Sequence, residues 1–219
     1  MRPKLHLQKF SYDTSAFPFR TRFEKLYGLS DLETIHNYYS PPHFVSEKHD
    51  SSSLLHKIFY SNFEIFLRQD YINFLSCLSK HFDEPFYFQS IPCVRFSLPG
   101  YRWLDRYHTD SDFNHPVQEL NLNLAITPSA GTSALHIQES PSSSNYVHLE
   151  QLPAEYTFID HINCIHGSTI NETNSTMISL DFRIILLSDS QSAFSDKNSV
   201  NNLSKFKPGS YFSDSPYTP

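Results

Sequence analysis

In YHTDSDFNHP, residues 107–116, His108 and Asp110 stand one residue apart, with His115 and Pro116 just behind. Side chains at i and i+2 of an extended segment point the same way, so this imidazole and this carboxylate can reach one ion together. Two histidines and one carboxylate on one face of a metal leave three positions open, the arrangement that Fe(II) needs to activate oxygen. The third ligand has to come from a later strand that returns beside the first. His115, His136, His148, His161 and His166 are the candidates, and His166 stands out because it closes an apolar run and precedes Gly167 in CIHGST. A zinc hydrolase could use the same three side chains, but no general base is evident near them.

These residues need a framework, and the hydrophobic pattern supplies one. After Pro85 the period is two: Val94, Phe96 and Leu98 alternate with Cys93, Arg95 and Ser97, and Leu120, Leu122, Leu124 and Ile126 with Asn121, Asn123 and Ala125. LHIQES, YTFIDHINCIH and TMISLDFRIILL continue the pattern; in the last, Ile178, Leu180 and Phe182 face away from Ser179, Asp181 and Arg183. This predicts an antiparallel sandwich or jelly roll, mainly β, with helices on its N-terminal side. Its polar strand faces, carrying Arg95, Asn121, Asn123, Asp181 and Arg183, either meet solvent or line a polar cavity.

Upstream, Leu55, Phe59, Phe63, Phe66, Tyr71, Phe74 and Leu78 recur at helical spacing, so one or two amphipathic helices run from Ser53 to Phe82. Residues 1–50 read as irregular, broken by Pro18, Pro41 and Pro42, with a short helix at SDLETIHNYY capped by Ser30 and Glu33. The Ser/Asn/Asp-rich tail after Leu187 reads as a surface loop. The expected organisation is one domain over residues 1–219: an irregular and helical part (1–85), a jelly-roll core (86–187) and a surface segment (188–219).

Composition narrows the function classes. A net charge of −6 with no basic run argues against a nucleic-acid partner. No stretch approaches about 20 continuous apolar residues, so no membrane span is expected. The N-terminus lacks an apolar signal core, and the three cysteines (Cys77, Cys93, Cys164) have no CxxC spacing, which fits reduced thiols in a cytoplasm. With five glycines and no phosphate-cradling motif, nucleotide loops are absent. Neither substrate identity nor oligomeric state can be read from the sequence.

The ordered set of H-x-D, strands, His-Gly and a strand bearing an Arg resembles the Fe(II)- and 2-oxoglutarate-dependent oxygenases built on a double-stranded β-helix, a cupin-like jelly roll. It is more similar still to the subfamily typified by a streptomycin-biosynthesis oxygenase. The resemblance runs from about residue 89 to 187 through QSIPCVRFSLPG, YHTDSDFNHPVQELN, ALHIQES, IHGSTINET and ISLDFRIILL, and KFKPGSYF resembles the closing segment. It implies His108, Asp110 and His166 as iron ligands, 2-oxoglutarate and O2 as cosubstrates, and oxidation of a small molecule in specialised biosynthesis. Hydroxylation of an unactivated C–H bond is the expected reaction, with desaturation and ring closure left open. Halogenation is disfavoured, because Asp110 fills the position a halide would need.

A 2-oxoglutarate cosubstrate also needs a cation for its distal carboxylate, and a bidentate Arg suits that geometry. Arg183, the only Arg after His166, is the first candidate, with Arg95 in reserve and Ser179 on the same strand face. The alternative for Arg183 is a structural ion pair with Asp181 or Glu119. Many relatives carry an Arg nearer the second His, about where Thr176 and Met177 stand here. Six residues of strand cover roughly 20 Å, so Arg183 is expected to need a bulge in GSTINETNST to reach the metal. Glu119, Asn121 and Trp103 are candidate substrate contacts, with ligand orientation or plain packing as their other roles. His161 and Asp160 are expected at the surface or core edge. The departure at Met177 motivates the alternative of a catalytically inactive jelly-roll binding protein that keeps its metal site.

Overall fold

The longest strand among the described residues, β9 (Met177–Leu186), keeps all ten residues buried although its middle, from Ile178 to Ile184, alternates apolar and polar. A strand patterned for one wet face is here covered on both. The structure, a computed structural model, describes residues 2–39, 53–104, 106–200 and 203–218, without the side chains of Arg2 and Pro3. Around β9 lies an antiparallel sheet of six strands: β1 (Lys9–Ser11), β7 (Glu155–Ile159), β4 (Leu120–Ala125), β9 itself and β2 (Phe86–Phe88) in that order, with β3 (Cys93–Ser97) also paired to β9. A second sheet has β5 (His136–Gln138) between β6 (Tyr146–His148) and β8 (His166–Gly167). The fold is mainly β with N-terminal helices, a cupin-like jelly roll.

Register decides which residues share a face. Arg95 lies opposite Ser179, Cys93 opposite Asp181, Asn121 opposite Arg183 and Asn123 opposite Asp181. Directly opposed residues in an antiparallel pair point to the same side, so the polar residues of three strands form one continuous face. Its apolar neighbours Ile159 and Met177 pack against Ile137 of β5, so this face looks toward the second sheet. Asn121, Asn123, Ser179, Asp181 and Arg183 are all buried. The polar face lines the interior of the fold; it is not a wet outer surface.

The opposite face carries Val94, Phe96, Leu122, Leu124, Leu180 and Phe182 into the main core. Helices α2 (Phe19–Tyr27), α3 (Leu54–Phe66) and α4 (Arg68–Ser79) cover it, and the four-residue α1 (Arg2–Leu5) packs at its edge. The expected helical stretch is thus two helices, broken at Leu67, and the Ser53 hydroxyl caps α3 by accepting the His56 N–H (3.4 Å). Phe74 sits edge-on to Tyr12, Phe17, Phe19 and Tyr156 with ring centroids 5.3–5.5 Å apart, a geometry that adds to plain burial.

Three expectations change. SDLETIHNYY contains a 3-10 helix at Leu32–Asn37, but Ser30 does not cap it: Glu33 instead takes a bidentate ion pair from Arg20 (2.7 and 2.8 Å). YTFIDHINCIH is two short strands and a turn, closed where Asp160 Oδ1 accepts the Asn163 N–H (3.1 Å). The C-terminal segment is not a surface loop. It begins with α5 (Leu187–Ala193), and Phe206, Tyr211 and Phe212 are buried against Ile185. Pro41 and Pro42 lie outside the described residues.

Candidate metal centre

His108 and His166 face each other across an isolated antiparallel bridge closed by both backbone hydrogen bonds (3.0 and 2.9 Å). That pairing sets the two rings side by side, with centroids 4.5 Å apart. Asp110 follows two residues after His108, where its N–H donates to the His161 carbonyl (2.8 Å) and a 3-10 turn begins. Asp112 Oδ2 accepts the Thr109 N–H (3.0 Å), and Asn114, left-handed at φ 69°, ends the turn. The sequence spacing H-x-D therefore becomes one geometric unit. One ligand atom from each of His108, Asp110 and His166 falls within 4.8 Å of the others.

The ring nitrogens are sorted for this purpose. His108 Nδ1–H donates to the Arg106 carbonyl (2.8 Å) and His166 Nδ1–H to the Cys164 carbonyl (3.1 Å). With each Nδ1 engaged, the Nε2 atoms face Asp110 Oδ1, at 3.9 Å (His108) and 3.4 Å (His166). Holding the far nitrogen through a carbonyl is how proteins fix the tautomer and aim of a ligating imidazole. Burial, and then the neighbouring His166, lower the pKa of His108 and keep its ring neutral. This donor set of two imidazoles and one carboxylate fits a divalent first-row metal.

The two Asp110 oxygens have different surroundings. Oδ1 faces the histidines, while Oδ2 accepts from Arg183 Nη2 (2.7 Å) and Nε (3.2 Å). Burial opposes the charge, but Arg183, then His161 and His166, outweigh it and hold the carboxyl well below the usual carboxylate range. Arg183 is itself surrounded: Gln89 Oε1 lies at 3.3 Å, Glu119 at 3.5 Å and Asp181 at 3.6 Å. The ion-pair alternative thus describes Arg183, with Asp110 as an unforeseen first partner. The expected bulge is not what brings it there. GSTINETNST turns around Asn171, whose amide donates to the Ser97 and Ser175 carbonyls (2.8 and 2.9 Å). Strand β9 then runs back, so its later residues return to the metal end.

The remaining candidates divide. Glu119 is buried behind Arg183 and accepts from His115 Nδ1 (2.8 Å). Asp110, His115 and Glu119 also cluster, but Arg183 bridges the two carboxylates. Asn121 reaches His161, its amide Nδ2 meeting the ring Nδ1. Ser179 accepts from Asn123 (3.2 Å). Trp103 is inside the fold, with the Arg95 guanidinium 5.8 Å from its ring centroid. Arg95 donates to Asp181 (3.0 Å).

His161 is the residue that sequence reasoning misplaced. It is buried, stacked on His166 at 3.9 Å and 13° from parallel, with Nδ1 3.7 Å from Asp110 Oδ2. Burial, then His166, push its pKa down to about 4 against the pull of Asp110. Its Nε2 and the Asn121 Oδ1 have no protein partner. The Asp160–Asn163 turn signature was the available signal: it breaks the strand at residue 160 and folds His161 inward. Asp160 is buried in that same turn.

No family model matches this chain. The streptomycin biosynthesis protein StrG of Streptomyces griseus is 26% identical over 204 residues, covering 93% of this chain and 96% of that protein. Among solved structures, EvdO2 from Micromonospora carbonacea var. aurantiaca complexed with 2-oxoglutarate superposes with a TM-score of 0.54 at 12% identity, covering 84% of this chain and 88% of its own. The non-heme alpha ketoglutarate dependent epimerase SnoN from nogalamycin biosynthesis gives 0.50 at 11% identity, covering 84% and 79%. The fold is that of these non-heme enzymes.

Proposed function

We propose that this protein is a non-haem Fe(II)- and 2-oxoglutarate-dependent enzyme that oxidises a small molecule in specialised biosynthesis, with hydroxylation of a C–H bond as its reaction. The observation that carries the reading is the convergence of His108 Nε2, Asp110 Oδ1 and His166 Nε2, with both Nδ1 atoms and Asp110 Oδ2 tied to protein partners. EvdO2, solved with 2-oxoglutarate, and SnoN, alpha-ketoglutarate dependent by name, support the cosubstrate. StrG, named for streptomycin biosynthesis, supports the metabolic setting.

In this reading His108, Asp110 and His166 would hold the iron, which would supply the binding of the 2-oxo acid and the activation of oxygen. The chain's own residues do the rest. Arg183 fixes Asp110 so that one carboxylate oxygen stays directed at the metal position. The buried, unpartnered His161 Nε2 and Asn121 Oδ1 offer polar atoms beside it. Asp110 occupies the place a halide would take, which favours hydroxylation over halogenation.

The test is to add Fe(II) and then 2-oxoglutarate to the purified protein without oxygen. A saturable visible charge-transfer band is expected, followed by succinate release once air is admitted. Iron bound at full stoichiometry with no band would transfer the lead to an inactive metal-binding jelly roll.

A further inference from the structure

Arg95 and Arg183 share one interior face, but only Arg95 has capacity to spare. Every side of the Arg183 guanidinium meets an acceptor of the protein, and its side chain is 4% exposed. Arg95 makes one ion pair, Nη2 to Asp181 Oδ2 at 3.0 Å, and its buried Nε has no partner. Although protein surrounds it, 23% of its side chain is open, so free space lies against it. The Trp103 indole under the guanidinium has a buried Nε1–H without a partner, and so does Ser97 Oγ, two residues along the same strand face. Buried donors left without acceptors are costly. One donor on Arg95 itself, one on the indole beneath it and one on Ser97 of the same strand face suit a ligand that brings the acceptors.

The depth of this pocket sets the ligand's length. The Arg95 guanidinium is level with Asp181, two residues along β9 from Arg183, which touches the metal-side carboxylate. One such strand step is about 6–7 Å, a gap that a five-carbon diacid spans. Met177, where a cation would otherwise be sought, is buried in an apolar cluster with Ile137 and Ile159.

We infer that Arg95, assisted by Trp103 Nε1–H and Ser97, anchors the distal carboxylate of the 2-oxo diacid from strand β3 and the following loop, with Met177 as inert packing. This rests on the oxygenase reading above. It places the anchor on a different strand from the second histidine's successor, and leaves Arg183 to the metal side alone.

The experiment titrates the anaerobic Fe(II) protein with 2-oxoglutarate and with pyruvate, which lacks the distal carboxylate, following the charge-transfer band and iron content. The unmodified protein should bind 2-oxoglutarate at least tenfold more tightly than pyruvate. Arg95→Gln should weaken 2-oxoglutarate by about ten- to a hundredfold while iron content and pyruvate affinity hold, and Arg95→Lys should recover part of the loss. Trp103→Phe, which keeps the ring and removes the N–H, should weaken 2-oxoglutarate by about three- to tenfold. Unchanged 2-oxoglutarate affinity in Arg95→Gln and Trp103→Phe would overturn the anchor, as would an equal loss for pyruvate. No band with either acid in the unmodified protein would overturn the oxygenase reading, and this inference with it.

Discussion

Asp110 has to remain charged inside the protein and keep one oxygen free, and Arg183 meets both demands through the other oxygen. Removing one member of a buried ion pair leaves an uncompensated charge and costs about 3–5 kcal/mol. Arg183→Gln should therefore destabilise the metal-free protein by that order and weaken iron binding, because Asp110, Glu119 and Asp181 lose their shared cation. Urea unfolding in chelator checks the first effect and metal titration the second; a variant of full stability with intact iron binding would contradict both. This partnership was invisible in the sequence, where five strands, β4 to β8, separate residue 110 from residue 183. The H-x-D pair and His-Gly were legible because their spacing is local.

A second residue-scale consequence concerns His56, buried on α3, whose pKa burial and then Arg95 lower from 6.5 to about 4. The unfolded imidazole takes up a proton near pH 6.5 and the folded one does not, so the unfolded state binds more protons between these values. Stability is then full above about 6.5 and falls as the pH drops toward 4, by about 3 kcal/mol for this group. His56→Leu should lower the slope of stability against pH in that window by about 1.4 kcal/mol per pH unit, measured by denaturant melts at several pH values. An unaltered slope would mean that His56 is protonated in the fold.

At the scale of elements, the site depends on a two-residue strand. β8 presents His166 to the interior, and Gly167, beside it, lets the Tyr107 ring close over the backbone. A Cβ at Gly167 would lie 3.0–3.1 Å from that ring. Tyr107 precedes His108 and bonds His136 Nδ1 through its hydroxyl (2.5 Å), so it ties the His108 segment to β5, the strand paired with β8. Ser168 continues the tie by donating to the Leu104 carbonyl (3.0 Å). Gly167→Ala should push Tyr107 aside and lower metal affinity about tenfold with modest loss of stability, read by metal titration beside a thermal melt. Wild-type affinity would show that the ring yields freely. The sequence marked this Gly without its reason, since the neighbour that requires it lies sixty residues away. The Asp160–Asn163 turn was local and readable, whereas Asp110 and Asn121, which meet its inward His161, lie far off in the sequence.

For the whole molecule, one sheet serves two chemistries. The period-two alternation divides it into an apolar face against the helices and a polar face toward the second sheet. That division was readable from residue type alone, but which polar face was wet depended on where the second sheet lies. The apolar side carries the stability. Phe74→Ala should cost about 3–5 kcal/mol and leave metal affinity unchanged, because its contacts lie on the helical side of the sheet.

Three candidate ligands converge from two segments, while a third histidine, His161, stacks on His166 outside the set. The most direct test is metal stoichiometry by anaerobic Fe(II) titration of the unmodified protein and of His108→Ala, His166→Ala and His161→Ala. One equivalent is predicted for the unmodified protein and for His161→Ala, and none for the other two. Iron retained in full by His166→Ala, or lost from a folded His161→Ala, would contradict the assignment.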